Sequence, residues 1–506
     1  MCGIAGVLAA APNARVPDLV RRLTEALKHR GPDGEGFWTD TGAMAGRVPR
    51  DRLPQEAGLA LGHRRLSIVD LATGDQPMTN EDGSVWVAFN GEIYNHQELR
   101  ALLQAAGHRF VTQSDTEVLV HGWEQWGEEV LSRLNGIFAL ALTDHQARVT
   151  VLARDPVGVK PLYVGVENGI TWWASELEAA RLAGLTSGAI SREALKLFLM
   201  FRFIPAPATI FEGTWKVPPS HYVLLRSTEA GQIPIFRSYQ TVIRSSAAPR
   251  NQGEWRESLT TELESAVSRQ LMSDVPVGSL LSGGVDSSLV TRMMDRHLPY
   301  HPRAFGIGFA SQGPSSEVAT GERAAETLGV PFTPTWVNEA EYLAAWPAAF
   351  AQVGEPIGNS GGLLVHLLCR TVARTHKVVL SGQGADEPLG GYPRHMAERL
   401  RRVGRWAPQV SAWVADRLLG AGAGRRLRRV LAAPDTIDRY LEIFAVFEPA
   451  AVDDFVTGGA PARELAHAAI GRWVPDAPSG DDLNDLLKAD ARLSLADDLL
   501  MIADHF

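Results

Sequence analysis

The sequence predicts two units of different class, a β-rich α+β half followed by an α/β half. Three observations carry this reading. Between Gly58 and Gln240, short apolar segments alternate with Gly, Asp and Asn turn signals, the pattern of short strands with a few helices. The Pro-rich "RFIPAPATIFEGTWKVPPSHYVLL" and the loop-like "IRSSAAPRNQGE" that follows separate the halves and place a boundary near residue 245. Beyond that point, "DVPVGSLLSGGVDSSLVTRMM" reads as strand, glycine loop and helix start. At 506 residues the chain exceeds one ordinary domain, and the units are placed at residues 2–240 and 250–506.

Taken in order, the first element is "MCGIAGVLAA", a short apolar run with a cysteine at its head. Cys2 has two readings: a small buried residue opening a strand, or, once Met1 is removed, a thiol nucleophile with its own α-amine as base. In "SVWVAFNGEIYNHQEL", Val85 to Phe89 form a strand that stops at Asn90-Gly91. That dipeptide is either a tight hairpin turn or an oxyanion hole made of the Asn90 amide and the Gly91 N–H. Ser114-Asp115-Thr116-Glu117 looks like a helix start, with Asp115 as a candidate cap. His29 and His63 are read as structural.

In the second half, "WRESLTTELESAVSRQLM" has helical spacing. A strand then runs through Leu281, a loop covers Ser282-Gly283-Gly284, and a helix starts at Asp286-Ser287-Ser288. A glycine loop feeding a helix N-terminus is a ready anion site, because unpaired N–H groups and the helix dipole face the ligand. The loop lacks the lysine of a Walker motif. Val378, Val379 and Leu380 form a second short strand leading into "SGQGADEPLGGY", and Cys369 is read as a buried helix residue.

Charge and composition exclude several classes. With 45% hydrophobic and 21% charged residues, the chain is of globular type. A formal charge of -9 speaks against a nucleic-acid partner. The arginine-rich "ERLRRVGRW" and "GRRLRRV" are therefore read as solvated helix faces. No apolar run approaches the ~20 residues of a membrane span, and the N-terminus lacks the pattern of a signal peptide. Two cysteines, Cys2 and Cys369, allow neither a disulfide framework nor a cysteine zinc site. The expected compartment is cytoplasmic.

The motifs "MCGIAG", "HRGPDG", "GHRRLSIVDL", "FNGEIYNHQELR", "SDTEVL", "LNGIFALAL" and "RDPVGVKPLYVG" occur in the order found in class II glutamine amidotransferases. The first half resembles the glutaminase domain of glutamine-hydrolysing asparagine synthetases. That resemblance implies an N-terminal nucleophile fold with antiparallel sheets between helices. It makes Cys2 the nucleophile, Asn90 and Gly91 the oxyanion hole, Arg65 the partner of the glutamine α-carboxylate, and Glu92 and Asp115 the partners of its α-ammonium. "SGGVDS" resembles the pyrophosphate loop of ATP pyrophosphatases, on a parallel sheet. There the resemblance implies ATP binding by Leu281, Ser282, Gly283, Gly284, Asp286, Ser287, Ile307, Ser381 and Gly382. It implies a synthetase pocket with Gln383, Asp386 and Glu387, and Mg²⁺ held by Asp286 and Asp386. The implied partners are glutamine, ATP and a carboxylate, with aspartate first and a sugar, peptide or natural-product acid as the alternative; a homodimer is compatible with it.

Three departures stand against the family pattern. Gln383 occupies a position where asparagine synthetases commonly carry Glu or Asp, and it cannot act as acid, base or anion. Gly354 and Asn359 in "GEPIGNSGG" stand where many relatives carry Asp. "LSLADDLLMIADHF" resembles a family helix that normally leads on to a later catalytic lysine, which implies either a fragment or an inactive synthetase half. A tRNA-thiolating enzyme would need paired cysteines, and a phosphoribosylamine-forming amidotransferase has no use for "SGGVDSS".

Overall fold

A computed structural model describes residues 1–41, 47–240, 251–311, 316–392, 395, 398, 413, 417, 423–474 and 482–506. In the first half, β1 (Gly3–Asn13), β2 (Gly34–Thr39), β3 (Ala57–Arg65), β8 (Tyr163–Glu167), β9 (Ile170–Ala174) and β10 (Thr214–Lys216) form one antiparallel sheet, ordered β10-β8-β9-β1-β3-β2. A second contains β4 (Met78–Thr79), β5 (Val85–Ile93), β6 (Gly136–Asp144), β7 (Val149–Arg154), β11 (His221–Arg226) and β12 (Arg237–Ser238), ordered β12-β11-β7-β6-β5-β4.

Period-two alternation divides each strand between two cores. Ile4 and Leu8 of β1, Leu59 and Leu61 of β3, Trp86 and Ala88 of β5 and Ala139 and Ala141 of β6 fill the space between the sheets. Ala5, Val7 and Ala9 face outward instead, onto the Arg15–Ala26 and Leu177–Ala183 helices. Val85, Val87, Phe89 and Ile93 face the His96–Ala105 and Glu117–Trp126 helices. Gly6 belongs to the inner set, and a Cβ there would meet Trp173 at 2.0 Å. This is the expected arrangement of antiparallel sheets between helices.

The expected strand end at Asn90-Gly91 is corrected. β5 runs on to Ile93, pairing Asn90 with Ala139 and Gly91 with Phe138 of β6. Long-range pairing overrides the local turn preference, and the glycine serves close approach, since a Cβ at Gly91 would lie 2.1 Å from the Ile137 carbonyl oxygen.

In the second half, β13 (Val277–Leu280), β14 (Ala304–Phe309), β15 (Phe332–Val337) and β16 (Val378–Leu380) form a parallel sheet ordered β15-β14-β13-β16. The break expected near residue 245 falls at residues 241–250, outside the described residues. Most of "ERLRRVGRW" also lies outside them. "GRRLRRV" lies on the Ala423–Ala432 helix, where it grips a neighbour as well as facing solvent. Arg426 donates to the Glu442 and Ala445 carbonyls, and Arg429 pairs with Glu442 at 2.8 Å. Cys369 is in a helix, Gly361–Val372, but is half-buried instead of buried. Among the described residues, no helix is long and apolar enough to cross a membrane.

The C-terminal segment joins the halves. The Arg192–Phe201 helix of the first half shares an apolar core with the Thr436–Phe444, Ala462–Gly471 and Asp482–Arg492 helices. A π-helical turn at Leu495–Leu499 and a final helix at Leu500–His505 then carry Asp497 and Asp504 into the first half.

Candidate active sites

One end of the inter-sheet space gathers the residues singled out in the first half. Cys2 precedes β1 with the parity of Ile4 and Leu8, so it points between the sheets. Asn90 and Glu92 have the parity of Trp86 and Ala88 and point there too. Alternation also separates two adjacent arginines. Arg64 turns outward, donating to Glu25 and the Thr24 carbonyl, whereas Arg65 turns inward at the end of β3. The Leu66 N–H points at Cys2 Sγ from 3.4 Å.

Asn90 is 1% exposed, and its Nδ2 has no hydrogen-bond partner. A buried amide donor without an acceptor costs about 1–3 kcal/mol, so its presence asks for a ligand oxygen. Asp115 is buried and accepts from the Ile93 N–H at 2.8 Å, tying it to the end of β5. It caps no helix, since the following helix has Thr116 at its cap with no side-chain bond. Burial and the neighbouring Asp115 push the Glu92 carboxyl up to about 8, and burial raises Asp115 as well. Two neighbouring acids, Asp115 buried and Glu92 half-buried, favour a cation between them. Arg65 already donates to Asp75 at 3.0 Å and to the Asp70 carbonyl at 2.5 Å, so a substrate carboxylate would share it.

Sequence reasoning assigned no role to Arg30 or Lys160, though both lie inside quoted motifs. Arg30 is buried, donates to the Cys2 carbonyl at 2.9 Å and to Glu176 at 2.8 Å, and reaches Asp504 at 2.6 Å. Lys160 lies 3.4 Å from Asp504. His29 bonds Glu176, and His63 bonds the Phe89 carbonyl while burial pushes it down to about 3, which keeps it neutral. Both match the structural reading.

In the second half, β13 ends at Leu280, Leu281 is buried, and the Val285–His297 helix begins with Gly284 as its cap and no side-chain capping bond. Its first N–H groups are therefore left for another acceptor. Gly283 has φ +84°, a left-handed conformation suited to glycine, and packs against Thr320. The Ser282 and Ser287 hydroxyls are 3.2 Å apart. The segment after β16 folds onto the same helix start, and a Cβ on Gly382 would lie 2.6 Å from the Ser287 nitrogen. Burial and Asp386 both raise the Asp286 carboxyl, so the two acids face one region. Ile307 is half-buried on β14, and Ser381 is exposed. Gln383 Nε2 donates to the Leu499 carbonyl at 3.1 Å, which ties it to the C-terminal π-turn. Glu387 is fully buried and accepts from the Tyr392 hydroxyl at 2.6 Å, so it stands behind the pocket surface. Gly354 packs against Glu178 of the first half, and Asn359 lies just before the Gly361–Val372 helix.

Known proteins reproduce this two-part order. Residues 1–239 match the family described as a glutamine amidotransferase domain, and residues 258–505 the family described as asparagine synthase. The chain is 30% identical over 518 residues to asparagine synthetase (glutamine-hydrolyzing) 1 of Bacillus subtilis (strain 168), covering 100% of this chain and 77% of the relative. It is 33% identical over 411 residues to asparagine synthetase (glutamine-hydrolyzing) 2 of Oryza sativa subsp. japonica, covering 78% of this chain and 60% of the relative. A solved glutamine phosphoribosylpyrophosphate amidotransferase from B. subtilis aligns with 66% of this chain and 65% of its own, at 19% identity and TM-score 0.34. With an amidotransferase domain ahead of an asparagine synthase domain, the chain belongs to the glutamine-hydrolysing asparagine synthetase family.

Proposed function

We propose that this protein hydrolyses glutamine at Cys2 and uses the ammonia, with ATP, to amidate a carboxylate, aspartate first. The observation that carries the glutaminase step is Asn90 Nδ2, buried, without a hydrogen-bond partner and facing the same inter-sheet space as Cys2. With Met1 removed, the Cys2 α-amine takes the thiol proton, and the sulfur attacks the side-chain amide of glutamine. Burial, Arg30 and Lys160 push the present Met1 amine down to about 5. The Asn90 amide and Gly91 N–H then hold the oxyanion, ammonia leaves, and water releases glutamate from the thioester. Glu92 and Asp115 receive the substrate α-ammonium, and Arg65 its α-carboxylate.

In the second half, a carboxylate oxygen attacks the ATP α-phosphate, pyrophosphate leaves, and ammonia displaces AMP to form the amide. The uncapped helix at Val285 and the 282–284 loop hold the pyrophosphate by backbone N–H groups. Asp286 and Asp386 suit Mg²⁺, a hard cation that prefers one or two carboxylates plus phosphate oxygens. When bound, that ion would neutralise phosphate charge.

Gln383 favours a second reading of the acceptor, a carboxylate other than aspartate, because a neutral amide bonded to Leu499 offers no charge to a substrate amine or to ammonia. Pyrophosphate release from ATP with glutamine, scanned over aspartate and a panel of other acids, separates the readings. Aspartate-dependent release supports asparagine synthesis, and release with another acid alone moves the protein to a different amidation. Release with none, beside intact glutaminase activity, would contradict the synthetase reading.

A further inference from the structure

Outside both sites, a group of His and Glu side chains converges on one point of the first half. Glu81 follows β4, His108 follows the His96–Ala105 helix, and His121 and Glu124 lie on the Glu117–Trp126 helix. One ligand atom from each falls within 4.8 Å of all the others. His121 Nδ1 is 3.2 Å from Glu81 and 3.4 Å from Glu124. His108 Nδ1 is 3.8 Å from Glu81 and 3.7 Å from Glu124. A tetrahedral zinc site with bonds of about 2.0–2.1 Å has ligand edges of about 3.3–3.4 Å. The four His–Glu distances lie around those edges, the two to Glu81 running to different oxygens, while the set as a whole spans up to 4.8 Å, so a bound ion would draw its most distant ligands together by roughly an ångström.

Two further observations separate it from an ordinary surface cluster. The His121 side chain is 1% exposed, and neither ring nitrogen makes a hydrogen bond of acceptable geometry. In addition, each histidine has an oxygen beside its far nitrogen. His121 Nε2 lies 3.5 Å from Glu117 Oε1, and His108 Nε2 lies 3.3 Å from Gln125 Oε1. With an ion on Nδ1, such partners would accept the proton left on Nε2, as the outer partners of metal-bound histidines do. Glu117 is itself fixed by the Val111 N–H at 2.7 Å and the Thr112 N–H at 2.8 Å. The Phe110 ring lies against His121, with centroids 4.5 Å apart, and shields it from solvent.

We propose that Glu81, His108, His121 and Glu124 form a structural site for a divalent transition ion of the zinc type. Four protein ligands leave no open position, so the ion would staple three segments and carry no chemistry. The imidazole pair selects zinc over magnesium, which prefers an all-oxygen shell. The stapled segments frame the stretch that carries Asp115, two residues before Glu117, so the ion would stiffen one wall of the inter-sheet site.

The test uses the full chain without a histidine tag, stripped with chelator, reloaded with Zn²⁺ or Mg²⁺ and freed of excess metal by gel filtration. Metal content by mass spectrometry should show one retained zinc per chain and no retained magnesium. His108→Gln and Glu124→Gln change partly exposed positions and should leave the fold intact while weakening zinc binding by at least about tenfold. X-ray absorption at the zinc edge should show nitrogen and oxygen ligands only. No retained zinc in the wild type, or equal retention by wild type and both variants, would overturn the site.

Discussion

The two candidate sites solve binding in opposite ways. In the first half, charge is supplied by buried side chains. Asp115 and Arg65 are 4% and 7% exposed, beside the neutral Asn90 at 1%. In the second half, Ser282, Gly284, Ser381 and Gln383 are exposed, and the donors on offer are backbone N–H groups at an uncapped helix start. A small zwitterion must be recognised at both of its charges and shielded from water, which suits an enclosed pocket with side chains of both signs. A triphosphate carries enough charge to be held by an open cradle. The contrast teaches that two differently built sites share one chain whose halves are tied by long-range contacts, among them the buried Arg30–Asp504 pair that the C-terminal segment supplies.

The largest expected effect breaks that coupling. Arg30→Met leaves the buried Glu176 and Asp504 without their shared cation, at a cost of about 3–5 kcal/mol. The loss should lower the denaturation midpoints of both halves. A shift confined to the first half would show that the joint does not bind them.

Next comes Asn90→Ala, which should lower glutaminase kcat by about 10²- to 10³-fold with little change in KM. Ammonium-driven turnover should stay unchanged, because the exposed site does not use Asn90. Asp386→Asn probes the opposite side of the comparison. It should weaken Mg²⁺-ATP use by about ten- to a hundredfold, leave glutaminase activity intact, and let Asp286 ionise at lower pH.

The smallest effect is a pH dependence. Glu92, raised to about 8, is neutral below that pH and charged above it. The attraction for an α-ammonium therefore grows as pH rises through about 8, and KM for glutamine should fall over the same range. Glu92→Gln should flatten that profile, raising KM by about tenfold at the alkaline end and little at the acid end. Because the folded value lies above the ordinary carboxyl value, Glu92 also costs stability as pH rises towards 8. The variant should lose less thermal stability than the wild type across that range.

The residues readable in the sequence are those whose placement is set by a contiguous motif. Cys2 heads a strand, Asn90 and Glu92 share a face by simple alternation, and "SGGVDSS" places glycines between a strand and a helix. What stayed hidden depends on partners distant along the chain. Asn90-Gly91 looks like a turn until β6 is known to lie beside it across both residues. Arg30 and Asp504 meet across 474 positions, and neither carries a local sign of the other. The Glu81, His108, His121 and Glu124 group draws on three separate segments, and its one local sign, His121 and Glu124 three residues apart on a helix, says nothing of the two distant partners. Cys369 fits the apolar pattern of its helix, yet that helix is only partly covered.

The central claim is that one chain couples a buried, cysteine-dependent source of ammonia to an exposed ATP site. Pyrophosphate release by the Cys2→Ala variant, driven by glutamine and separately by ammonium with the carboxylate that serves the wild type, tests it directly. The account predicts loss of glutamine-driven release and near wild-type release with ammonium. Equal loss with both nitrogen sources, in a variant that remains folded, would contradict the division of labour between the two sites.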